Sequence, residues 1–208
     1  MSKTKIKALI LDYGNVISQP QRSKNVINIL GVLNVDQDAF REIYLRERTR
    51  YDSGQISGEE YWRNIILHFD LDPDGLDIGY LIREDVKSWT RINQSMIDFI
   101  HDSRPKIQKL AIVSNMTEDS LTYIRTHFQW LELFDVLVFS FELGVNKPDK
   151  RIYQACLQKL LVSANQCLFV DDSVENVIAA RETGMNAMHF TTNQKFLADL
   201  HEEFAFTL

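Results

Sequence analysis

The sequence predicts an α/β fold: a doubly wound parallel sheet with a small helical cap domain inserted after the first strand. Short apolar runs recur along the chain, each ending at polar residues, as is typical of buried parallel strands. Other stretches repeat apolar residues every three or four positions, which predicts amphipathic helices. Strands and helices that alternate in this way form a parallel sheet covered on both faces.

Four segments carry the strand pattern. Residues 8–11 form a continuous apolar run directly before Asp12 and a glycine-containing turn. Residues 110–114 and 167–170 repeat this pattern, and residues 136–140 are a weaker case. Because the carboxyl ends of parallel strands lie at the same edge of a sheet, the polar residues that follow these strands should converge there.

Between residues 18 and 92 the strand signals disappear and helical patterns replace them. Segments 36–51 and 58–69 have the apolar spacing of amphipathic helices. Asp36 and Ser57 stand where an N-terminal cap would begin each of these helices. The sequence therefore predicts a helical insertion in this part of the chain.

This insertion divides the predicted protein into two domains. We expect an α/β core of residues 1–17 and 93–208 and a helical cap of residues 18–92. An insertion that directly follows the first strand would overhang the sheet edge that holds Asp12. We therefore expect the cap to cover the site formed at that edge.

Composition limits the classes of partner. A net charge of -6 and a pI near 5.4 give no general attraction to nucleic acid or anionic membranes. The first apolar run ends at Asp12, too early for a signal peptide or membrane span. Cys156 and Cys167 lack a metal-binding spacing and predict reduced thiols. We expect a cytoplasmic protein without nucleic-acid or membrane partners; the patterns indicate no particular oligomeric state.

Several chemically useful side chains stand at or beside the predicted strand ends. Asp12, Ser114, Lys147 and the pair Asp171 and Asp172 supply a carboxylate, a hydroxyl, a cation and a second acidic cluster. Asp12 considered alone could be a turn-forming acid. Together these groups can handle a phosphate through a divalent cation, and carboxylate oxygens suit Mg²⁺.

Four segments occur in the order of the four motifs of the haloacid dehalogenase (HAD) superfamily: LILDYGNVI, IVSN, GVNKPDKRIY and LFVDDSVENVIAARETGM. The chain resembles this superfamily over almost its whole length, in the branch with a helical cap between the first and second motifs. DYGNVI is similar to the DxGNV variant of bacterial sugar-phosphate phosphatases, including glucose-1-phosphate phosphatases. The resemblance implies a magnesium-dependent phosphatase of a small phosphorylated metabolite, with sugar phosphates among the implied substrates.

The resemblance also implies a role for each matched residue. Asp12 would be the nucleophile, forming an aspartyl-phosphate, and would also ligate Mg²⁺. Ser114 would donate a hydrogen bond to a phosphoryl oxygen, and Asn115 would share that task. Lys147 would neutralise phosphate charge and orient Asp12.

The metal ligands and one departure from the family pattern follow from the same resemblance. Asp171 and Asp172 are both metal candidates, and the sequence leaves open which of them contacts the ion directly. The backbone carbonyl of Gly14 would be a further ligand. Gly14 stands where many members carry a second aspartate as general acid and base, whose loss typically lowers rates by about 10²- to 10⁴-fold. This departure favours substrates with good leaving groups, such as sugar 1-phosphates or acyl phosphates.

Three other functions stay open at this point. A dehalogenase would attack carbon with the same Asp12 but needs no magnesium, so the acidic pair Asp171 and Asp172 counts against it. A phosphomutase would benefit from the acid that Gly14 lacks. The third alternative is a catalytically weak domain that binds a phosphorylated ligand or a partner protein.

The cap contains residues near its central turn that could select a substrate. Arg46, Arg50, Tyr51 and Trp62 lie in or near the two predicted cap helices. Arginines that alternate with apolar residues are ordinary on a helix surface, and buried aromatic residues are ordinary in a helical core. The simpler interpretation of each of the four is therefore structural.

Overall fold

A computed structural model describes residues 5–204 of the protein, apart from the side chain of Glu203. Its strands are β1 (Ala8–Leu11), β2 (Lys109–Ser114), β3 (Val136–Phe139), β4 (Cys167–Asp171) and β5 (Asn186–His189). They form one sheet in the order β3-β2-β1-β4-β5, and every neighbouring pair is parallel. The predicted parallel α/β fold is confirmed.

The edge strand β5 was not predicted from the sequence. Its four residues, NAMH, begin with Asn186 and end with His189, so they contain no continuous apolar run. The strand pairs only with β4 in the described structure, with Asn186 beside Leu168. An edge strand tolerates polar residues such as these because, in the described structure, β5 has a neighbouring strand on one side only.

Helices fill the connections between the strands. The α-helices are α1 (Ser23–Leu33), α2 (Gln37–Asp52), α3 (Gly58–His68), α4 (Ile78–Ser88), α5 (Gln94–Ser103), α6 (Glu118–His127), α7 (Ser140–Leu143), α8 (Lys150–Leu160), α9 (Val174–Glu182) and α10 (Asn193–Phe204). Single helical turns lie at Pro73–Gly75, Trp130–Leu133 and Ala164–Gln166, and Tyr13–Ile17 forms a turn in which Gly14 and Asn15 are not helical. None of the helices in residues 5–204 combines the length and the apolar character that crossing a bilayer requires.

The two faces of the sheet bury two separate apolar clusters. Successive side chains of a strand point to opposite faces, so β1 contributes Leu9 and Leu11 to one cluster and Ala8 and Ile10 to the other. Helices α5, α6 and α10 cover the first face, and α8 and α9 cover the second. This two-sided burial explains why the strands were recognisable as continuous apolar runs.

Helices α1 to α4 lie between β1 and β2 in the chain and surround a third apolar cluster of their own. Trp62 is fully buried in its centre. Asp36 accepts hydrogen bonds from the backbone at the start of α2, and the Ser57 hydroxyl accepts one from the backbone N–H of Glu60 in α3. Asp36 and Ser57 are therefore the N-terminal caps of α2 and α3, as the sequence predicted.

Two neighbouring segments connect this helical insertion to the sheet. Ser18 and Ile92 form an antiparallel bridge, and the backbone N–H of Gln19 donates to the carbonyl of Arg91 at 2.6 Å. The entry to the insertion and the exit from it therefore lie side by side. We propose that they are the connection between the core and the cap predicted from the sequence.

The C-terminal half of α2 is bonded to loops and helices of the sheet domain. The Tyr51 hydroxyl donates to Asp119 Oδ2 at 2.5 Å, and Asn146 Nδ2 donates to the carbonyl of Thr49 at 2.7 Å. These bonds come from the segments after β2 and after β3. They hold α2 over the carboxyl edge of the sheet.

Candidate active site

The carboxyl edge of the sheet brings the predicted site residues together. Asp12 directly follows β1, Ser114 ends β2 and Asp171 ends β4, with Asp172 next to it. Lys147 lies in the loop between α7 and α8. Asp12, Ser114 and Lys147 line one cavity of about 270 Å³, which residues of α2 line from the cap side.

Lys147 is the cation at the centre of this cluster. Its Nζ lies 2.6 Å from Asp12 Oδ1 and 2.7 Å from Asp171 Oδ2, and only 2% of its side chain is exposed. Burial alone would lower the pKa of Lys147, but the two carboxylates raise it above its ordinary value. The ammonium therefore keeps its proton and bridges two acids from neighbouring strands.

Asp12 uses one of its two oxygens for contacts with the protein. Oδ1 accepts from the backbone N–H of Tyr13 at 2.7 Å and meets Lys147, whereas Oδ2 has no hydrogen-bond partner among residues 5–204. Burial raises the pKa of Asp12 to about 7; Lys147 lowers it, while Asp171 and Asp172 raise it. The free oxygen is available to a ligand in the cavity.

The two acids at the end of β4 differ in how they are engaged. Both oxygens of Asp171 accept from Asn176 Nδ2, at 3.0 and 3.2 Å, and Oδ2 also meets Lys147. Asp172 accepts from Asn15 Nδ2 at 2.7 Å through Oδ2, and its Oδ1 has no hydrogen-bond partner in the described part of the chain. Asp172 therefore keeps a free oxygen, and Asp171 does not.

The cluster has the ligand chemistry of a magnesium site. Carboxylate oxygens of Asp12, Asp171 and Asp172 lie within 4.8 Å of one another. When all three carboxylates are ionised, their three negative charges and the one positive charge of Lys147 leave the cluster with a net charge of -2. Oxygen donors and an unbalanced negative charge suit Mg²⁺, which commonly uses one or two protein carboxylates together with waters and substrate oxygens.

Asn115 and Ser114 lie beside Lys147 at the end of β2. Asn115 accepts from the backbone N–H of Lys147 through Oδ1 at 2.7 Å, and its Nδ2 donates to the carbonyl of Lys147 at 3.2 Å. Its side chain thus fixes the loop that carries the lysine. The Ser114 hydroxyl donates to the carbonyl of Asn115 at 3.3 Å, a long bond that a ligand in the cavity can replace.

Gly14 lies on the turn after Asp12 and lines the same cavity. Its φ of -61° and ψ of 130° are ordinary for any residue. A Cβ at this position would meet Asp12 Oδ2 at 4.0 Å, an ordinary contact distance. Neither the backbone nor the packing therefore requires glycine here.

Asn15 and Asn176 were missed by the sequence analysis, although both orient the acids of the cluster. Asn15 has a φ of 56°, a left-handed conformation that asparagine tolerates better than most residues. Asn176 stands in the first turn of α9, within reach of Asp171. The sequence signal for both was a side-chain amide within the matched motifs, three to five residues from a site acid.

The cap side of the cavity was also missed. Tyr44, Arg48 and Asp52 line it at every fourth position of α2, and Leu45 and Trp89 join them. The four-residue spacing is the signal that could have identified this helix face. It was hidden by the arginines and acids that occupy six of the other thirteen positions of α2.

The cap residues considered in the sequence analysis lie elsewhere. Trp62 is in the cap core, and Tyr51 is buried against the sheet domain. The side chains of Arg46 and Arg50 are 55% and 48% exposed, and both pair with Glu47. The structural interpretation of these residues agrees with their positions.

Comparison with known proteins establishes the family. The family model for haloacid dehalogenase-like hydrolases matches residues 82–190, just over half of the chain. A sesquiterpene phosphatase of Aspergillus oryzae is 38% identical over 154 residues, which covers 74% of this chain and 76% of that protein. The chain belongs to the haloacid dehalogenase-like hydrolase family. The predicted superfamily and the predicted hydrolase class are thus confirmed.

Solved structures agree with the fold of this HAD-like hydrolase. A HAD family enzyme of Bacteroides thetaiotaomicron gives a TM-score of 0.80 at 18% identity, over 93% of this chain and 98% of that one. A complex of that enzyme with magnesium and inorganic phosphate gives 0.73 at 19% identity, over 90% and 96%. At this identity the likeness concerns the fold alone. The sugar-phosphate branch stays a prediction.

Proposed function

We propose that this HAD-like hydrolase is a magnesium-dependent phosphatase that hydrolyses the phosphate monoester of a small metabolite through an aspartyl-phosphate on Asp12. The observation that carries the proposal is the geometry of Asp12: Lys147 holds Oδ1, while Oδ2 remains free beside a cavity and a second acidic pair. The phosphatase from Aspergillus oryzae and the magnesium–phosphate complex of a protein with the same fold support this assignment.

Asp12 and Asp172 would hold the magnesium ion, together with the backbone carbonyl of Gly14 that the family resemblance implies. Asp172 is favoured over Asp171 as a direct ligand because Asp171 already engages Asn176 with both oxygens. When bound, the ion would supply positive charge that offsets the acidic cluster and attracts phosphoryl oxygens. Asp171 would then act by fixing Lys147.

The reaction would proceed in two steps on Asp12. Oδ2 attacks phosphorus, an Oδ2–P bond forms, and the bond from phosphorus to the substrate oxygen breaks. The departing alcohol takes its proton from water. A water oxygen then attacks phosphorus and the Oδ2–P bond breaks, which releases inorganic phosphate and restores the Asp12 carboxylate.

The surrounding residues would position and neutralise these groups. Lys147 holds Oδ1 so that Oδ2 stays directed at the substrate, and its charge offsets that of the phosphate. The Ser114 hydroxyl would turn from the Asn115 carbonyl to a phosphoryl oxygen. The Asn115 amide would position Lys147 rather than the phosphate, because both of its ends bond the lysine backbone.

Substrate preference would follow from the missing acid at Gly14. Without a positioned proton donor, the departing oxygen must ionise easily or take a proton from water, so esters with good leaving groups should react faster. The family resemblance suggests sugar 1-phosphates and acyl phosphates. This choice of substrate stays a prediction from the sequence.

Three observations favour a phosphatase, one against each alternative. A dehalogenase needs no metal, yet carboxylate oxygens of Asp12, Asp171 and Asp172 lie within 4.8 Å of one another, a grouping that can hold a divalent cation. A mutase needs the acid that Gly14 lacks. A degenerate binding domain has no need of a nucleophile held by Lys147 with one oxygen left free.

The decisive experiment is phosphate release from acetyl phosphate, phenyl phosphate and glucose 1-phosphate, with Mg²⁺ or with excess chelator. Asp12→Asn should abolish the metal-dependent release, whereas Asp98→Asn, on the exposed face of α5, should retain it. No release from any compound, or full activity of Asp12→Asn, would overturn the proposal.

A further inference from the structure

We infer that the substrate is a phosphate monoester whose departing group carries an elongated apolar chain, and that this chain occupies a groove between α1 and α2. The inference rests on the proposed phosphatase function and assigns its substrate class. The groove encloses about 500 Å³. Its apolar wall consists of Val26, Ile27 and Leu30 of α1 with Phe40 and Leu45 of α2. These residues define the α1–α2 groove.

The α1–α2 groove adjoins the active-site cavity. Asn15, Tyr44, Leu45 and Trp89 line both. A molecule whose phosphate lies at Asp12 can therefore extend past the Tyr44 and Trp89 rings into the groove. The combined space is far larger than a phosphate group needs and lies in the range of pockets that enclose small-molecule ligands.

The α1–α2 groove is lined mainly by apolar side chains, with Gln21, Ser23, Gln37 and Arg41 among its polar ones, and it is partly uncovered. Ile27 and Leu45 are 63% and 54% exposed, so much of the apolar surface of this groove is open to solvent. Arg41 is the one charged residue among those that line the described groove. Covering this surface with a hydrocarbon chain removes apolar area from water, which favours binding in proportion to the area covered.

The polar groups on the cap side are already engaged with one another. The Tyr44 hydroxyl donates to Asp85 at 2.5 Å and accepts from Arg48 and Gln21 at 3.0 Å and from the Trp89 indole at 3.3 Å. A hydroxyl has one donor and two acceptor lone pairs, and the three donors around Tyr44 already share both lone pairs, so no capacity is left for a ligand.

Arg48 is engaged in the same way, through ion pairs of 2.8 Å with Asp52 and with Asp85. A site that selects a sugar needs side chains able to bond its hydroxyls. Where the groove meets the active-site cavity, the cap presents the Tyr44 and Trp89 rings and Leu45 to the substrate instead. These contacts favour an apolar substituent over the sugar that the sequence resemblance suggested.

The test uses phenyl, 4-ethylphenyl, 4-butylphenyl and 4-hexylphenyl monophosphates, kept below their micellar concentrations, with Mg²⁺. The leaving oxygen is nearly the same in all four, so differences in rate report on the chain rather than on the missing proton donor. We expect kcat/KM to rise about threefold for each added methylene, or about a hundredfold from ethyl to hexyl. The n-alkyl phosphonates, which cannot be hydrolysed, should inhibit with the same dependence on chain length.

Two matched variants test where the alkyl chain of the substrate binds. Ile27→Asp places a charge in the α1–α2 groove and should reduce the gain per methylene to less than half. Leu67→Asp makes the same change at a 57% exposed leucine of α3 that lines neither cavity, and it should keep the full gain. Thermal unfolding of both variants verifies that they fold.

The outcomes separate the inference from the function on which it rests. Turnover of phenyl phosphate without any gain from the alkyl chain would overturn the apolar substrate and leave the phosphatase in place. A gain that survives Ile27→Asp would overturn the assignment to the groove. Absence of release from all compounds, phenyl phosphate included, would overturn the phosphatase itself and the inference with it.

Discussion

The ammonium of Lys147 lies 2.6 Å from Oδ1 of Asp12, and both side chains are buried. This single contact leaves the second carboxylate oxygen of Asp12 free toward the cavity. Because Lys147 also pairs with Asp171, the contact ties the end of β1 to the end of the neighbouring β4. The orientation of the proposed nucleophile therefore depends on a lysine that the loop after β3 supplies.

Replacing this lysine tests its dual role. Lys147→Met should lower kcat/KM by about 10²- to 10³-fold, because a charge that stabilises the transition state is lost. It should also destabilise the fold by about 3 kcal/mol, since two buried carboxylates lose their partner. Phosphate release and thermal unfolding measure the two effects.

The matched control for that variant is Lys150→Met. Lys150 pairs with Glu182 at 3.0 Å, but both side chains are 54% exposed, and exposed pairs contribute about 1 kcal/mol or less. Its loss should change neither activity nor stability by more than that. An equal loss of activity in both variants would contradict the role given to Lys147.

Magnesium affinity should depend on pH through Asp12. Burial raises the pKa of Asp12 to about 7, so the carboxyl is mainly protonated below that pH and must lose its proton to bind a cation. We expect Kd for Mg²⁺ to be about tenfold weaker at pH 6 than at pH 8 by titration calorimetry. In Asp12→Asn the binding should be weaker and should not change with pH through this group.

The sign of the effect on stability follows from the same pKa. The folded pKa of Asp12 lies above the ordinary value of 3.8, so its contribution to stability is present at low pH and is lost as pH rises toward 7. Because magnesium is expected to bind more tightly at pH 8, it should raise the unfolding temperature more at pH 8 than at pH 6. A larger rise at pH 6 would contradict this assignment.

Restoring an acid at position 14 should increase the rate for poor leaving groups. The backbone of Gly14 accepts a side chain, and its Cβ would stand 4.0 Å from Asp12 Oδ2. Gly14→Asp should accelerate hydrolysis of n-butyl phosphate about tenfold or more, and acetyl phosphate much less, because only the alkoxide needs a proton. Gly14→Asn, of similar size but unable to donate an acidic proton, should give no such gain.

Asn115 should act on kcat rather than on KM. Asn115→Ala removes both bonds to the Lys147 backbone and lets that loop move, which should lower kcat about tenfold with little change in KM. A direct phosphate contact would instead raise KM. The control is Asn186→Ala: Asn186 likewise makes two bonds to the backbone, to the carbonyls of Asn165 and Cys167, but at the start of β5, so its loss should leave kcat unchanged.

The core fold was predictable because its strands are buried on both faces. Residues 8–11 are completely apolar and form β1, so the run itself marked the strand and its end marked Asp12. The polar residues after β2 and β4 then met Asp12 because parallel strands share one carboxyl edge. Strand β5 lacked this signal because Asn186 and His189 interrupt its apolar residues.

The substrate side of the site could not be predicted in the same way. The α1–α2 groove combines Ile27 and Leu45, whose positions relative to one another depend on how two helices pack. The different surroundings of Asp171 and Asp172 likewise depend on Asn176 and Asn15, which come from opposite ends of the chain. Contacts of this kind leave no periodic pattern in a sequence.

The most direct test of an aspartyl-phosphate intermediate is to find the phosphoryl group on Asp12. The protein with Mg²⁺ is mixed with excess phenyl phosphate, quenched in acid within the first turnover, digested and analysed by mass spectrometry. We expect one added phosphoryl group on the peptide that contains Asp12, absent from Asp12→Asn and from protein treated with chelator. Rapid phosphate release without any phosphorylated Asp12, or a phosphoryl group on another residue, would contradict the account.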